Sequence, residues 1–295
     1  MLLNRRSFLV RAGVGAATTA AASARLFAQQ HRIERLGMQL YTVRDAMAKD
    51  FDGTLAKVAA LGYKEVEFAG YFNKSPQEVK AALAKNGLTS PSTHIGYDLL
   101  TDKFPQVIED SRTIGHSFIV NPWIDDAIRN QPGAWKRAAD VFNRAGEMAS
   151  KAGLQFAYHN HHFEFVPVEG QAPLDLILKT CDPALVKIEL DLCWTAAAGQ
   201  DPVAWFQKYP GRFPMVHVKG LKRILPDAAK WATAPPIKEL LPDVTDVGPG
   251  PIDWARIFSH AKEAGIEHYF VEHDQPASPF DSLAASAKYL EGLQF

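Results

Sequence analysis

The sequence is poor in the residues that mark disulfide-rich or membrane-spanning proteins. Only two cysteines, Cys181 and Cys193, occur among its 295 residues. They lie 12 positions apart across a predicted turn and strand, which predicts two packed thiols without function. No run of 18 or more apolar residues follows the N-terminal segment, so we expect no membrane span there.

The chain also has little excess charge and no basic cluster. Its formal net charge is −1, and residues 1–28 carry four arginines and no acid, so the remainder carries −1 − 4 = −5. Because neutralisation of phosphates is the main source of affinity for nucleic acid, we expect no nucleic-acid partner. The glycine-rich phosphate loop of dinucleotide-binding folds is missing after the first predicted strand, MQLYTVRD.

Residues 1–28 are predicted to be a twin-arginine export signal. Arg5 and Arg6 precede Phe8 and a run rich in alanine, glycine and threonine, and no acidic residue occurs before Glu34. A signal of this kind is removed from the mature protein. We therefore expect a periplasmic protein of residues 29–295 without membrane attachment after signal removal. An amphipathic first helix is the alternative interpretation.

Segments of strand length then alternate with helical patterns. Eight strand candidates occur at 35–42, 63–69, 88–95, 116–123, 154–161, 185–192, 213–220 and 268–274. Helices are predicted between them, for example over 52–62, 75–87 and 135–153, and Ser75, Pro76 and Glu78 are typical of a helix start. Repeated strand–helix units predict a parallel sheet with right-handed crossovers. Eight units match an α/β (β/α)₈ TIM barrel of one domain, typically ~250 residues long.

A TIM barrel collects its functional side chains at the C-terminal ends of its strands. Ionisable residues interrupt otherwise apolar strand sequence in KIELDL, PMVHVKG and YFVEHD. Because buried unpaired carboxylates are costly, Asp191, His217 and Glu272 on three consecutive strands predict a shared cation. With a fourth ligand this set suits Mn²⁺, Co²⁺ or Mg²⁺, and it is also compatible with Zn²⁺. Taken singly, the three are explained as a helix cap, a core histidine and a surface acid.

Six motifs together resemble the xylose-isomerase-like barrels, which include sugar phosphate isomerases, ketose 3-epimerases, inosose dehydratase and hydrolytic AP endonucleases. The motifs, which span roughly residues 33–291, are LGMQLYTVRD, YHNHHFEF, LDLCWTAAAGQDP, VHVKG, VGPGPIDWARIF and YFVEHD. The resemblance implies a metal held by an acid of the fifth strand and by Asp191, His217 and Glu272. An AP endonuclease is disfavoured, since it needs several metals and a phosphate-binding surface.

The fifth strand departs from the family pattern. Relatives often carry glutamate within this strand, where the chain has His159, and its first acid is Glu164. The resemblance therefore implies Glu164 as the fourth metal ligand, with His159 as an alternative ligand or a substrate contact. His161 is expected to point into the mouth of the barrel, and His162 is expected to face outward.

Further residues are expected to contact a sugar. Relatives commonly place histidine three positions after the sixth-strand aspartate, where this chain has Trp194, whose indole is expected to stack on a sugar ring. Lys219, beside His217, is expected to neutralise a developing oxyanion, and a solvated lysine is the alternative. The remaining expected substrate contacts are Gln39, His94 and Trp123.

The chemistry implied by the resemblance is proton abstraction next to a carbonyl, with a divalent ion stabilising the enediolate. Glu272 and Glu164 are the expected bases on opposite faces of the substrate, with His159 as the substitute for Glu164. Because sugar phosphates are cytoplasmic metabolites, the export signal predicts an unphosphorylated small-molecule sugar, sugar acid or glycoside. The first hypothesis is thus an isomerase or epimerase of a keto-sugar, and a homo-oligomer is compatible with the sequence.

Two other functions stay open. A lyase that acts on a 3-keto-glycoside would use the same site, and Trp194 and the histidine-rich fifth strand favour it. A non-catalytic periplasmic sugar-binding protein would bind its ligand with or without a metal. The joint presence of Asp191, His217 and Glu272 speaks against this last function.

Overall fold

The computed structural model describes residues 31–295. The predicted export signal, with its boundary at residue 28, lies outside these residues. Within the described range, none of the helices combines the length and the apolar character that crossing a bilayer requires.

Within residues 31–295, ten strands form two sheets. They are β1 Leu36–Gln39, β2 Glu65–Ala69, β3 Thr89–His94, β4 Phe118–Asn121, β5 Gln155–His159, β6 Val186–Asp191, β7 Met215–Val218, β8 Gly220–Leu221, β9 Val244–Thr245 and β10 His268–Val271. All but β8 and β9 are parallel and close a barrel in the order β1, β2, β3, β4, β5, β6, β7, β10. The eight predicted strands and the TIM barrel are therefore confirmed. The short antiparallel pair β8–β9 is inserted after β7.

Helices connect the strands. The α-helices are Arg44–Lys49, Phe51–Ala60, Pro76–Lys85, Phe104–Ile114, Asp126–Arg129, Ala134–Lys151, Pro173–Thr180, Leu192–Ala197, Pro202–Lys208, Ile237–Leu240, Trp254–Ser259, Ala261–Ala264 and Pro279–Gly292. Short 3₁₀ helices are Leu40–Val43, Tyr97–Leu100, Phe163–Phe165, Ala228–Lys230 and Leu241–Asp243. The helices predicted over 52–62, 75–87 and 135–153 are confirmed to within two residues at each end. Ser75 caps its helix reciprocally with Glu78, as the sequence indicated.

The longest helix, Ala134–Lys151, shows how packing positions the fifth strand. Phe142 on its buried face lies 5.4 Å from Phe156 and 5.1 Å from Tyr158 between ring centroids. Gly146 allows the helix to approach the start of β6, since a Cβ there would lie 2.5 Å from the carbonyl oxygen of Leu185. The apolar layer thus holds the outer face of β5, and the inner face is left for polar side chains.

The two cysteines belong to the hydrophobic core of the barrel and are free thiols. Cys181 and Cys193 are both buried, and neither forms a disulfide. Their predicted packing is confirmed.

Candidate active site and metal centre

Ionisable side chains fill the C-terminal half of the barrel interior. Residues two positions apart on a strand point to the same face of the sheet. The segments of β6 and β7 therefore each place ionisable side chains at two depths in the barrel interior. Glu189 and His159 pair in register between β5 and β6, and Asp191 pairs with His217 between β6 and β7. Two neighbouring clusters result, and both are almost completely shielded from solvent.

The first group, here called the lower cluster, lies deeper in the barrel. Its members are Glu67, His94, His159, Glu189 and His217. Oε2 of Glu189 lies 2.7 Å from Nε2 of His94, 3.1 Å from Nδ1 of His159 and 3.2 Å from Nε2 of His217. Oε2 of Glu67 lies 3.0 Å from Nε2 of His94 and 2.8 Å from Nε2 of His217. Two carboxylate oxygens are therefore in contact with three imidazoles.

Neighbouring side chains hold Glu67 in place. Nε2 of Gln39 donates to its Oε2 at 2.7 Å, and the Ser92 hydroxyl donates to its Oε1. Gln39 is completely buried and does not line the cavity described below. The structure thus places Gln39 as support for a buried glutamate, and its predicted contact with substrate has no support from this geometry.

The second group, here called the upper cluster, surrounds one lysine. Its members are Asp191, Lys219, Glu272 and Asp274. Nζ of Lys219 lies 2.8 Å from Oε2 of Glu272, 3.1 Å from Oδ2 of Asp191 and 3.3 Å from Oδ2 of Asp274. Lys219 is only 1% exposed, so it is not the solvated lysine that was the alternative interpretation.

Burial and neighbouring charges shift the pKa values in both clusters. Burial disfavours protonation of His94, but Glu67 and Glu189 outweigh it and raise the pKa of His94 to about 9. Burial, with the charge of His217, lowers the pKa of His159 to about 3. Burial raises the pKa of Asp191 to about 6, although Lys219 opposes this shift. For Glu272, Lys219 and His217 overcome the effect of burial and hold its pKa well below the usual range.

A cavity of about 830 Å³ opens above the clusters. Among the predicted site residues, His94, Trp123, His159, His161, Lys219 and Glu272 line it. Trp123 and His161 meet edge to face, with ring centroids 4.9 Å apart. The structure therefore brings six of the predicted residues to one cavity, which is large enough for a small sugar.

Glu164 lies elsewhere, in the 3₁₀ helix after β5. Its Oε1 accepts a hydrogen bond from the Tyr158 hydroxyl at 2.5 Å, and its Oε2 accepts one from the backbone N–H of His161 at 2.8 Å. Burial raises its pKa to about 7. Since both oxygens are engaged in shaping the loop, this geometry does not support Glu164 as metal ligand or base. His159, the alternative, is in the lower cluster.

Two aromatic side chains differ from expectation. The prediction that His162 faces outward is wrong: the ring is 1% exposed, and its Nε2 donates to the carbonyl oxygen of Pro235 at 2.8 Å. Trp194 is completely buried and does not line the cavity. Its helix begins directly after β6, so the indole packs below the mouth, with Nζ of Lys219 5.4 Å from the ring centroid.

Sequence reasoning missed Glu67, Glu189 and Asp274. Two of them could have been found from their spacing, because residues two positions apart along a strand point to the same face. Glu189 lies two residues before Asp191, and Asp274 lies two residues after Glu272. Glu67 lies within the strand Glu65–Ala69, and no partner could be assigned to it without the barrel.

Both clusters have the donor chemistry of a metal site. Within residues 31–295, two sets of side chains bring ligand atoms within 4.8 Å of one another: His94, His159, Glu189 and His217, and Asp191, His217 and Glu272. Oε1 of Glu189 is buried without a hydrogen-bond partner, whereas Oδ2 of Asp191 is paired with Nζ of Lys219 at 3.1 Å. Buried carboxylate oxygens normally have partners, so these residues fit a divalent cation.

Known proteins match most of the chain. An inosose dehydratase of Lacticaseibacillus casei is 24% identical over 266 residues, which is 82% of this chain and 89% of that protein. A sugar phosphate isomerase/epimerase from Parabacteroides distasonis ATCC 8503, solved as a crystal structure, is 26% identical and superposes with a TM-score of 0.69, covering 90% of this chain and 96% of its own. A xylose isomerase-like TIM barrel protein from Mycobacterium smegmatis, solved in complex with magnesium, is 15% identical over 87% of this chain and 95% of its own, with a TM-score of 0.63, and supports the fold alone.

The family itself follows from a match that spans the barrel. A family model described as xylose isomerase-like TIM barrel covers residues 55–295. With the closed eight-stranded barrel and its buried histidines and carboxylates, this match shows that the protein belongs to the xylose isomerase-like TIM barrel family.

Proposed function

We propose that the protein is a metal-dependent enzyme that removes a proton next to the carbonyl of an unphosphorylated keto-sugar or sugar derivative and completes an isomerisation or epimerisation. The observation that carries this proposal is the contact of Lys219 with Asp191 and Glu272 on the floor of the cavity, next to His217. Such an arrangement would supply a cation, a base and a proton carrier to a bound carbonyl compound.

Each of these side chains supports one part of the reaction. Glu272 has a pKa well below its usual range because of Lys219 and His217, so it is ionised at neutral pH and can accept the substrate proton. Lys219 can donate a hydrogen bond to the oxyanion that develops. Asp191, with a pKa of about 6, can carry a proton in either direction near neutrality. We assign it the role first expected of Glu164.

A divalent cation would add electrostatic stabilisation of the enediolate when it is bound. The residues able to hold it are those of the two donor sets, of which His94, His159 and Glu272 line the cavity. A magnesium complex of one structural neighbour is consistent with such a cofactor in this chain. Mn²⁺, Co²⁺, Mg²⁺ and Zn²⁺ are all suited to a mixed set of histidines and carboxylates.

Two features favour a substrate without phosphate. Among the described residues that line the cavity there is no arginine, and its one lysine, Lys219, is already surrounded by three carboxylates. A phosphate would meet this negative charge without a free cation to neutralise it. An unphosphorylated sugar agrees with the proposed export to the periplasm.

Elimination is the second candidate outcome of the same proton abstraction. The curated relative is named an inosose dehydratase, and loss of water or of an aglycone can follow the same deprotonation. A second cavity of about 570 Å³ shares Trp123 and Ile237 with the first and offers room for an aglycone. A 3-keto-glycoside would therefore fit the two cavities together.

The test is solvent exchange. Keto-sugars and 3-keto-glycosides, each with a phosphorylated counterpart, are incubated with the Mn²⁺-loaded protein in D₂O and followed by NMR and mass spectrometry. We expect deuterium incorporation next to the carbonyl for unphosphorylated compounds, and its loss in Glu272→Gln. A conserved formula identifies isomerisation, and an unsaturated product identifies elimination. Binding without any exchange would contradict the proposal and favour the non-catalytic binding protein.

A further inference from the structure

We propose that Glu67 is a positioning residue of the metal centre, because its carboxylate keeps a proton on Nε2 of His217. Nδ1 of the same imidazole is then free to bind the cation that Asp191 and Glu272 share. The role of Glu67 rests on the proposed function, which requires this cation. Glu67 lies on β2, a strand that supplies none of these three donors.

The two ring nitrogens of His217 face two different sets of carboxylates. Nδ1 lies 2.8 Å from Oε2 of Glu272, and Asp191 pairs in register with His217 on the neighbouring strand. Ligand atoms of these three residues lie within 4.8 Å of one another. Nε2 lies instead 2.8 Å from Oε2 of Glu67 and 3.2 Å from Oε2 of Glu189. Nδ1 is therefore the nitrogen on the side of Asp191 and Glu272.

A histidine binds a metal only through a nitrogen without a proton, and a neutral imidazole carries one proton on one of its two nitrogens. A carboxylate that accepts a hydrogen bond from Nε2 therefore selects the form of the ring in which Nδ1 is free. The geometry of His217 thus requires an acceptor at Nε2, and two carboxylates are near enough to serve.

The distances assign this acceptor to Glu67. Nε2 of His94 lies 2.7 Å from Oε2 of Glu189 and 3.0 Å from Oε2 of Glu67. Nε2 of His217 shows the opposite order, with Glu67 at 2.8 Å and Glu189 at 3.2 Å. Because each Nε2 carries at most one hydrogen, the shorter contacts pair His94 with Glu189 and His217 with Glu67.

Neighbouring strands fix the carboxylate of Glu67 in place. Gln39, Glu67 and Ser92 stand in register on β1, β2 and β3. Nε2 of Gln39 donates to Oε2 of Glu67 at 2.7 Å, and the Ser92 hydroxyl donates to its Oε1. Glu67 and His217 are both completely buried, so bulk water does not compete for their contact. Partners of this kind behind a ligating histidine set its orientation and its proton position.

Glu65 offers a matched control on the same strand. It lies two residues before Glu67, is also buried, and its Oε2 lies 2.7 Å from Nδ1 of His268. Its ion-pair partners within residues 31–295 are His268 and Arg35, neither of which belongs to a donor set. Both glutamates are therefore buried carboxylates next to a histidine, and only Glu67 contacts a metal donor.

The first measurement is ¹⁵N NMR of the zinc-loaded wild type without substrate. Spectra of the labelled histidines show which nitrogen of His217 carries a proton, and His217→Gln assigns the signal. We expect a proton on Nε2, shifted downfield by its hydrogen bond to a carboxylate. Zinc bound through Nε2 would overturn the inference, as would a wild type that binds no zinc.

Zinc titration calorimetry of three variants tests Glu67 itself. Glu67→Leu removes the acceptor, so we expect zinc to bind roughly tenfold more weakly or worse. Glu67→Gln keeps a side-chain oxygen that can accept from Nε2, and it should recover most of the affinity. Glu65→Leu should lower Tm without changing zinc affinity. Unchanged affinity in Glu67→Leu, or an equal loss in Glu67→Leu and Glu65→Leu, would contradict the role of Glu67.

A second readout decides if circular dichroism shows that Glu67→Leu does not fold. A neutral amide accepts a weaker hydrogen bond than a carboxylate, so the Nε2 proton of His217 should move upfield in zinc-loaded Glu67→Gln. The signal should stay in place in Glu65→Gln. An identical Nε2 proton shift in wild type and Glu67→Gln would overturn the inference.

The proposed function is judged separately by deuterium exchange in the wild type. Exchange in a protein whose His217 binds zinc through Nε2 would leave the function intact and remove only the role of Glu67. Absence of exchange in a protein with the expected Nε2 proton would remove the function and leave the role of Glu67 in metal binding.

Discussion

Nε2 of His94 lies 2.7 Å from Oε2 of Glu189 and so connects β3 with β6 through the interior of the barrel. The two strands are not neighbours in the sheet, because β4 and β5 lie between them. A contact of this kind is possible only inside a closed barrel, and it brings an imidazole that lines the cavity into contact with a carboxylate below it. The site is therefore a property of the closed barrel as a whole.

Replacement of Lys219 by methionine is expected to abolish catalysis and to destabilise the fold. Three carboxylates would lose the ammonium group that faces them, and removal of one partner from a buried ion pair costs about 3 kcal/mol or more. We expect deuterium exchange to fall by about 10²-fold or more, because a charge stabiliser and a proton donor are lost together. Urea unfolding and exchange rates provide the measurements. Lys222→Met, at an exposed neighbouring lysine, should change neither, and equal effects of both variants would refute the role of Lys219.

Substitution of Glu164 distinguishes loop support from metal binding. Glu164→Ala leaves the Tyr158 hydroxyl and the His161 N–H without their acceptor, which should lower the free energy of unfolding by about 3 kcal/mol. Bound metal, measured by elemental mass spectrometry, should stay at the wild-type level in the folded Glu164→Gln variant. Loss of metal in Glu164→Gln would reinstate Glu164 as a ligand.

His116 should make stability depend on pH outside the active site. Nδ1 donates to the carbonyl oxygen of Ser90 at 2.8 Å, Nε2 lies 3.1 Å from the Tyr71 hydroxyl, and burial lowers the pKa to about 4. The unfolded chain, with a pKa near 6.5, binds the proton more readily, so this stabilisation is complete above about pH 6.5 and is lost as the pH falls toward 4.

Between pH 7 and pH 5 the expected loss from His116 is about 2 kcal/mol of unfolding free energy, measured by urea titration at each pH. His116→Asn should remove this part of the pH dependence. Tyr71→Phe should retain it, since the imidazole still titrates. An unchanged slope in His116→Asn would show that another group is responsible.

Gly220 sets the close approach of β8 to β9, directly after Lys219. A Cβ at this position would lie 2.0 Å from the carbonyl oxygen of Asp246, whereas a Cβ at Gly248 would meet that oxygen only at 4.0 Å. Gly220→Ala should therefore cost about 2 kcal/mol of stability and shift the lysine, with reduced exchange activity. Gly248→Ala is the matched control. Thermal unfolding that shifts equally in both variants would contradict this explanation.

Much of the candidate site could be predicted from motifs at strand ends. His94, Trp123, His159, His161, Lys219 and Glu272 were selected from the sequence, and all line one cavity. Trp194 and Gln39 were also selected, but the sequence does not show how far below the mouth a side chain lies. Both are completely buried, because the backbone positions that carry them face packed neighbours and not the cavity.

The sequence by itself determined the barrel, because the alternation of strands and helices allows few other ways to bury the apolar faces. It also determined which residue types meet at the C-terminal ends of the strands. Only the tertiary structure decided their partners: Glu164 turns to Tyr158, Glu189 meets three histidines, and Lys219 lies among three carboxylates. The physical reason is that strand register and barrel closure set distances of a few ångströms between residues far apart in sequence, and these distances determine where a cation is stable.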